Sequence, residues 1–209
     1  MIVPLDATGI RAAAAAVAAG QCIVLPTDTV YGIGADATSP QAVQRLLDAK
    51  HRGRDMPPPI LLPSAGLLPQ VAADVPEAAQ ALAEAFWPGA LTLILKALLP
   101  LDLGDRPDTI AVRVPDHDAT ADLLRATGLL AVSSANVSGQ PPATTVAEAW
   151  AMLGDSVGVY LDGGPTRGDV PSTIVDLSGD DPRIIRQGVI SAQAIRQVWP
   201  AIRDGAASA

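Results

Sequence analysis

Hydrophobicity in this 209-residue chain comes in strand-length pieces, and glycine or proline interrupts nearly every one. No apolar run approaches the about 18 residues that a membrane-spanning helix needs. Residues 22–25, 60–62, the segment ALTLILKA, the alternating TIAVRVP, and residues 129–132, 157–161, 172–177 and 183–186 read as strands. Helical patterns lie between them. Thr8 precedes an alanine-rich stretch over 10–19 that Gly20 closes. Ser39-Pro40 supplies an N-cap and a favoured first-turn proline, and Val43, Leu46 and Leu47 give the following helix an apolar face up to about Lys50. Further helices are expected over 76–86, 118–127, 145–153 and 191–198. The segment PTDTVYGIGADATSP reads as one long polar turn.

Strands and helices are mixed without strict alternation. This predicts an α/β (mixed α+β) fold, a single domain over residues 1–200 on one twisted sheet of parallel and antiparallel strands flanked by helices. Residues 201–209 are expected to be a flexible tail. Only 3% of residues are aromatic, so aliphatic packing must carry the core.

The formal net charge is −8, which disfavours non-specific binding to nucleic acid. Yet Arg45, Lys50, Arg52 and Arg54 fall within ten positions. Local positive charge in an acidic chain favours a small anionic ligand over a long polyanion. The single cysteine, Cys22, cannot form an intrachain disulfide and reads as a buried core residue. The N-terminus lacks the basic start of a secretory signal, so a cytoplasmic protein without membrane contact is expected.

Several devices are missing. There is no G-x-x-x-x-G-K-[ST], and GIGADA lacks the third glycine of a dinucleotide fingerprint. One cysteine with two separated histidines, His51 and His117, offers no protein metal cage. What remains is a set of polar loops at strand ends: Thr27-Asp28-Thr29 with Tyr31, Lys50-x-Arg52, Thr109 with Arg113, Ser133-Ser134-x-Asn136, Pro171-Ser172-Thr173 and Arg186-Gln-Gly. Arg113 interrupts an apolar strand and so requires a partner or a bound anion. Cations, hydroxyls and the Asn136 amide together suit a ligand with anionic and neutral polar parts, such as a nucleotide beside an amino acid.

PTDTVYGIGADA, KHR, TIAVRVP, SSANVSGQPPATT, PSTIVD and IIRQG occur in the order seen in the YrdC/Sua5 family, across residues 10–195. The chain resembles the short form of that family, without the extra C-terminal domain of longer members. The resemblance implies a YrdC-like domain with a basic concave cavity. It implies a nucleotidyltransferase that condenses L-threonine, bicarbonate and ATP into threonylcarbamoyl-AMP and pyrophosphate. Mg2+ accompanies the ATP, with no metal site of the protein's own. A downstream complex passes the threonylcarbamoyl group to adenosine 37 of tRNA.

By motif position the resemblance assigns Lys50, Arg52, Ser134 and Asn136 to catalysis. It assigns Thr29, Arg113, Ser134 and Ser172 to L-threonine. It assigns Lys50, Arg52, Thr109, Asn136, Thr144 and Arg186 to ATP. Met56 and Leu61 stand where many relatives carry polar residues. Two other readings stay open: a carbamoyl-phosphate-dependent carbamoyltransferase, and a module that binds double-stranded RNA or contacts tRNA directly.

Overall fold

The computed structural model describes residues 1–205. In chain order the elements are β1 (Ile2–Pro4), α1 (Ala7–Ala18), β2 (Ile23–Leu25), β3 (Gly32–Asp36), α2 (Pro40–Ala49), β4 (Ile60–Leu61), α3 (Glu77–Phe86), β5 (Leu91–Lys96), β6 (Thr109–Arg113), α4 (Asp118–Thr127), β7 (Leu130–Ser134), α5 (Val146–Leu153), β8 (Val159–Asp162), β9 (Thr173–Asp176), β10 (Arg183–Arg186), α6 (Ala192–Val198) and β11 (Arg203–Asp204). The strands form one sheet in the order β1-β8-β2-β3-β7-β4-β6-β5-β9-β10-β11. Pairing is mixed. β1, β8 and β2 run parallel, as do β4 with β6 and β5 with β9, whereas β3 and β7 are antiparallel to their neighbours.

Helices cover both faces, but unequally. One face is packed by α2, α3, α5 and α6, through Leu46, Leu47, Leu82, Leu153 and Ile195, against Val24, Ile33, Leu93 and Val112. On the other face α1 and α4 bring Ala13, Val17, Leu123 and Leu124 against Ile23, Leu25, Leu130, Val132 and Leu161. That second cluster includes no residue of β5, β6, β9 or β10. Side chains alternate across a strand, so Thr92 and Ile94 on β5, and Thr109, Ala111 and Arg113 on β6, point to this uncovered half.

The segment expected as a polar turn contains β3, a buried strand between β2 and β7. Its glycines hid it, because strand propensity counts glycine against a strand. Glycine is needed here on packing grounds: a Cβ at Gly32 would lie 2.6 Å from Val132 Cγ1. The first helix begins earlier than the sequence pattern indicated. Asp6, not Thr8, is its N-cap, with Oδ1 accepting from Thr8 N at 2.8 Å and Gly9 N at 2.9 Å. Ser39 caps α2 as read, accepting from Ala42 N at 3.3 Å. His117 caps α4 through Nδ1, which accepts from Thr120 N at 3.3 Å. Cys22 is buried in the core, and burial pushes its thiol up to about 11. Ile202 is also buried and Arg203–Asp204 pairs with β10, so the first residues of the expected tail are held to the sheet. Residues 206–209 of that tail lie outside the described residues. No helix among the described residues is long and apolar enough to cross a membrane.

Gly32→Ala is expected to lower the unfolding free energy by about 1–3 kcal/mol, since the added methyl meets a β-branched neighbour in a packed layer. Urea titration checks this. Val132→Ala in the same background is expected to cost less than the two single changes summed.

Candidate active site

The uncovered half of the sheet is the floor of a cavity of about 430 Å3. Ile94, Ala111 and Ile174 give the floor an apolar centre. The walls come from loops at strand ends. Thr27 and Thr29 precede β3; Arg52 and residues 55–59 follow α2; Ser133 and Ser134 end β7; Ser172 precedes β9; and Arg186 ends β10. Four arginines, Arg52, Arg106, Arg113 and Arg186, line the space against one carboxylate, Asp55. Burial holds the Arg52, Arg113 and Arg186 guanidiniums below their ordinary range, and for Arg186 the like charges of Arg52 and Arg113 add to it. Such a cavity has a deficit of negative charge.

Arg113 is the most enclosed of the four. Its Nη2 donates to Asp28 Oδ1 at 2.6 Å, and both side chains are only 8% exposed. Its Nη1 donates to Thr29 Oγ1 at 3.0 Å and its Nε to Gly89 O at 3.0 Å. A guanidinium has five N–H donors, so two remain for a ligand. The buried arginine implied by the sequence has its partner in Asp28, 85 positions away in the chain. Thr27 Oγ1 in turn donates to Val30 O at 2.7 Å and lies 3.0 Å from Thr29 Oγ1, which fixes the loop that carries Asp28. Across the floor, Arg186 Nη2 donates to Ser172 O at 2.8 Å, and Ser172 Oγ lies 2.9 Å from Thr92 Oγ1. Tyr31 closes the rear by accepting from Gly163 N at 3.1 Å and donating to Gly164 O at 2.6 Å.

Seven of the ten residues assigned by motif position line this cavity: Thr29, Arg52, Thr109, Arg113, Ser134, Ser172 and Arg186. Lys50, Asn136 and Thr144 do not, and the reason is the partners they have taken. The Lys50 ammonium is buried and donates to Ser134 O, to Asn136 O at 2.8 Å and to Asn136 Oδ1 at 3.3 Å. The Asn136 amide nitrogen donates to Val137 O at 3.0 Å and Gln140 O at 2.7 Å. These two side chains are therefore internal braces. They lock the Ser-Ser-x-Asn loop to the end of α2, and the Arg52 guanidinium rests on that loop through Nη1 to Ser133 Oγ at 2.9 Å. Arg52 Nε is buried without a partner among the described residues, an orphan donor at the cavity wall. Thr144 Oγ1 donates to Glu148 Oε2 at 2.9 Å, at the start of α5.

Met56 and Leu61 both line the cavity, so the two departures noted in the sequence fall on its wall. Sequence reasoning did not single out Thr92, Asp55 or Arg106. Thr92 is one polar residue in an apolar strand, and Arg106 one charge in a polar loop. Neither pattern differs from an ordinary surface until the fold turns both toward one space.

Residues 15–188 match the Sua5/YciO/YrdC family, described as "Telomere recombination". The chain belongs to that family, and its fold is the YrdC-like domain. A protein of Mycobacterium tuberculosis is 48% identical over 192 residues, covering 91% of this chain and 88% of its own length. The threonylcarbamoyl-AMP synthase of Pseudoalteromonas translucida is 37% identical over 179 residues, covering 82% of this chain and 94% of that protein. Among solved structures, Pyrococcus abyssi Sua5 complexed with L-threonine superimposes with a TM-score of 0.90 at 34% identity over 98% of this chain. The present chain spans 62% of that longer one.

Two outcomes are expected from the buried charges. Asp28→Ala leaves Arg113 unpaired and is expected to destabilise by about 3 kcal/mol, the lower end for a broken buried pair because the cavity admits water; urea titration reads it. Burial, with Arg52 second, pushes Lys50 down from 10.5 to about 7. The unfolded chain then holds a proton that the folded chain has released, so Lys50 makes stability rise with pH between about 7 and 10.5. Between about pH 7 and about pH 9 the wild type is expected to gain up to about 2 kcal/mol on Lys50→Met, by urea titration at constant ionic strength.

Proposed function

We propose that the chain is a threonylcarbamoyl-AMP synthase that condenses L-threonine, bicarbonate and ATP. The observation that carries this is the convergence of four arginines and a row of hydroxyls on one cavity, next to the buried Asp28–Arg113 pair. Arg113 has two free donors for the threonine carboxylate, the group to which a guanidinium fork is matched, with Thr29 and Ser172 beside it. Arg52, with its orphan Nε, and Arg186 face the α-phosphate region. Thr109 and Ser134 offer neutral hydrogen bonds along the nucleotide.

The threonine amine adds to the carbon of bicarbonate with loss of water and gives a carbamate. A carbamate oxygen attacks the α-phosphorus of ATP. The bond from that phosphorus to the oxygen bridging to the β-phosphate breaks, and pyrophosphate leaves with the electron pair. No covalent enzyme intermediate is required. The protein positions two anions that repel each other and offsets the charge that builds on the phosphoryl oxygens. Lys50 and Asn136 act through the loop they brace, which sets where Ser134 and Arg52 stand. Mg2+ bound to the triphosphate of ATP would offset part of its charge beside Arg52 and Arg186. The product is a reactive mixed anhydride, consumed by a separate transferase that modifies adenosine 37 of tRNA. A net charge of −8 is consistent with leaving tRNA to that partner.

Pyrophosphate release from ATP and bicarbonate is expected to require L-threonine, and carbamoyl phosphate is not expected to replace it. Arg52→Ala is expected to reduce the rate at least tenfold with an unchanged far-ultraviolet circular dichroism spectrum. Threonine-independent release, or full turnover by that variant, would count against the assignment.

A further inference from the structure

We infer that Arg106 is a further phosphate-binding residue of this cavity and that Arg54, which does not line it, is the residue that positions it. The inference rests on the reading of the cavity as an ATP site. Three of the four cavity arginines are already engaged with protein groups: Arg113 with Asp28, Thr29 and Gly89, Arg186 with Ser172, and Arg52 with Ser133. Arg106 lines the same cavity, is exposed, and its side chain has no hydrogen bond or ion pair among the described residues. This holds although Asp102, Asp105 and Asp108 stand within four residues of it.

Arg54 accounts for two of those carboxylates. Its Nη2 donates to Asp102 Oδ1, and its Nε lies 3.6 Å from Asp105 Oδ1. Its carbonyl accepts from Asp105 N at 2.9 Å, and its Nη1 donates to Gln44 Oε1 on α2 at 3.2 Å. Between the two aspartates Gly104 adopts φ +155°, and a Cβ there would lie 2.4 Å from Arg54 O and 3.2 Å from Pro57 Cβ. The loop after Arg52 and the loop between β5 and β6 are therefore pressed together, backbone against backbone. Arg54 holds the contact and draws two acids away from Arg106, which directly follows Asp105. A turn closed by Thr109 N to Arg106 O at 3.3 Å then leads directly into Thr109 on the cavity floor.

The consequence is a long cation, free of internal partners, at the exposed side of a cavity whose other arginines each hold at least one protein partner. The buried Arg113 suits the carboxylate, and Arg52 and Arg186, each held by a protein partner, suit the α-phosphate. Arg106, exposed and without a protein partner, suits the phosphate tail that departs as pyrophosphate, because a solvated contact offsets leaving-group charge and still lets the product go.

Equilibrium titration calorimetry with ATP and, separately, with L-threonine tests this on the intact chain. Arg106→Ala is expected to weaken ATP binding about tenfold, with L-threonine affinity within twofold of wild type and an unchanged melting temperature. Arg106→Lys is expected to restore part of the loss. Arg54→Ala is expected to weaken ATP binding several-fold, and the double variant to bind no more weakly than Arg106→Ala alone. ATP affinity within twofold of wild type in Arg106→Ala overturns the inference. Additive losses in the double variant overturn the positioning role of Arg54. If the wild type binds ATP with this dependence but releases no pyrophosphate with threonine, the synthase reading fails and the Arg106 assignment stands. If it releases pyrophosphate normally and Arg106→Ala binds ATP like wild type, only the inference fails. Absence of ATP binding by the wild type overturns both.

Discussion

The architecture depends on one asymmetry of coverage: α1 and α4 shield only half of a sheet face, and the other half stays open. A strand buried on both sides carries apolar residues at successive positions, as β2 does with Ile23, Val24 and Leu25. β5 and β6 cannot be of that kind. Their inward residues are Leu91, Leu93, Leu95, Ile110 and Val112, while Thr92, Thr109 and Arg113 occupy the opposite phase. The alternation that fills the core on one side thus leaves Thr92, Thr109 and Arg113 around the apolar centre of a cavity floor on the other, and the strand-end loops wall it in.

Cations inside such a cavity are costly without ligand, and the protein meets the cost with oxygen atoms of its own. Asp28 compensates Arg113 directly. Behind the cavity wall, Lys50 is held by two backbone carbonyls and the Asn136 side-chain oxygen, which accept from its Nζ. The result is a preorganised positive field whose arginines keep unspent donors. That arrangement suits the transfer of an adenylyl group to an anionic acceptor, where positioning and charge neutralisation carry the chemistry.

Much of this was legible in the residues. Segments such as ALTLILKA and TIAVRVP show their period of two directly, and the Ser39-Pro40 start of α2 follows from capping chemistry. β3 was not legible, because Gly32 and Gly34 are selected by the closeness of Val132, a neighbour nearly one hundred positions away. Motif position does not show which side chains have partners of their own. Lys50 and Asn136 read as ligand contacts from motif position, and the coordinates turn both into braces of the loop beside the ligand space.

By itself the sequence determined the six helices, most of the strands and the mixed fold class, since these follow from local periodicity, and it supplied the charges and hydroxyls from which a site could be built. The tertiary structure decided which of those groups share a space. Arg113 meets Asp28 across 85 positions, and Arg52 meets Ser133 across 81. Such pairings are set by strand order and by which half of a sheet face the helices leave bare, and no local pattern in a chain encodes either.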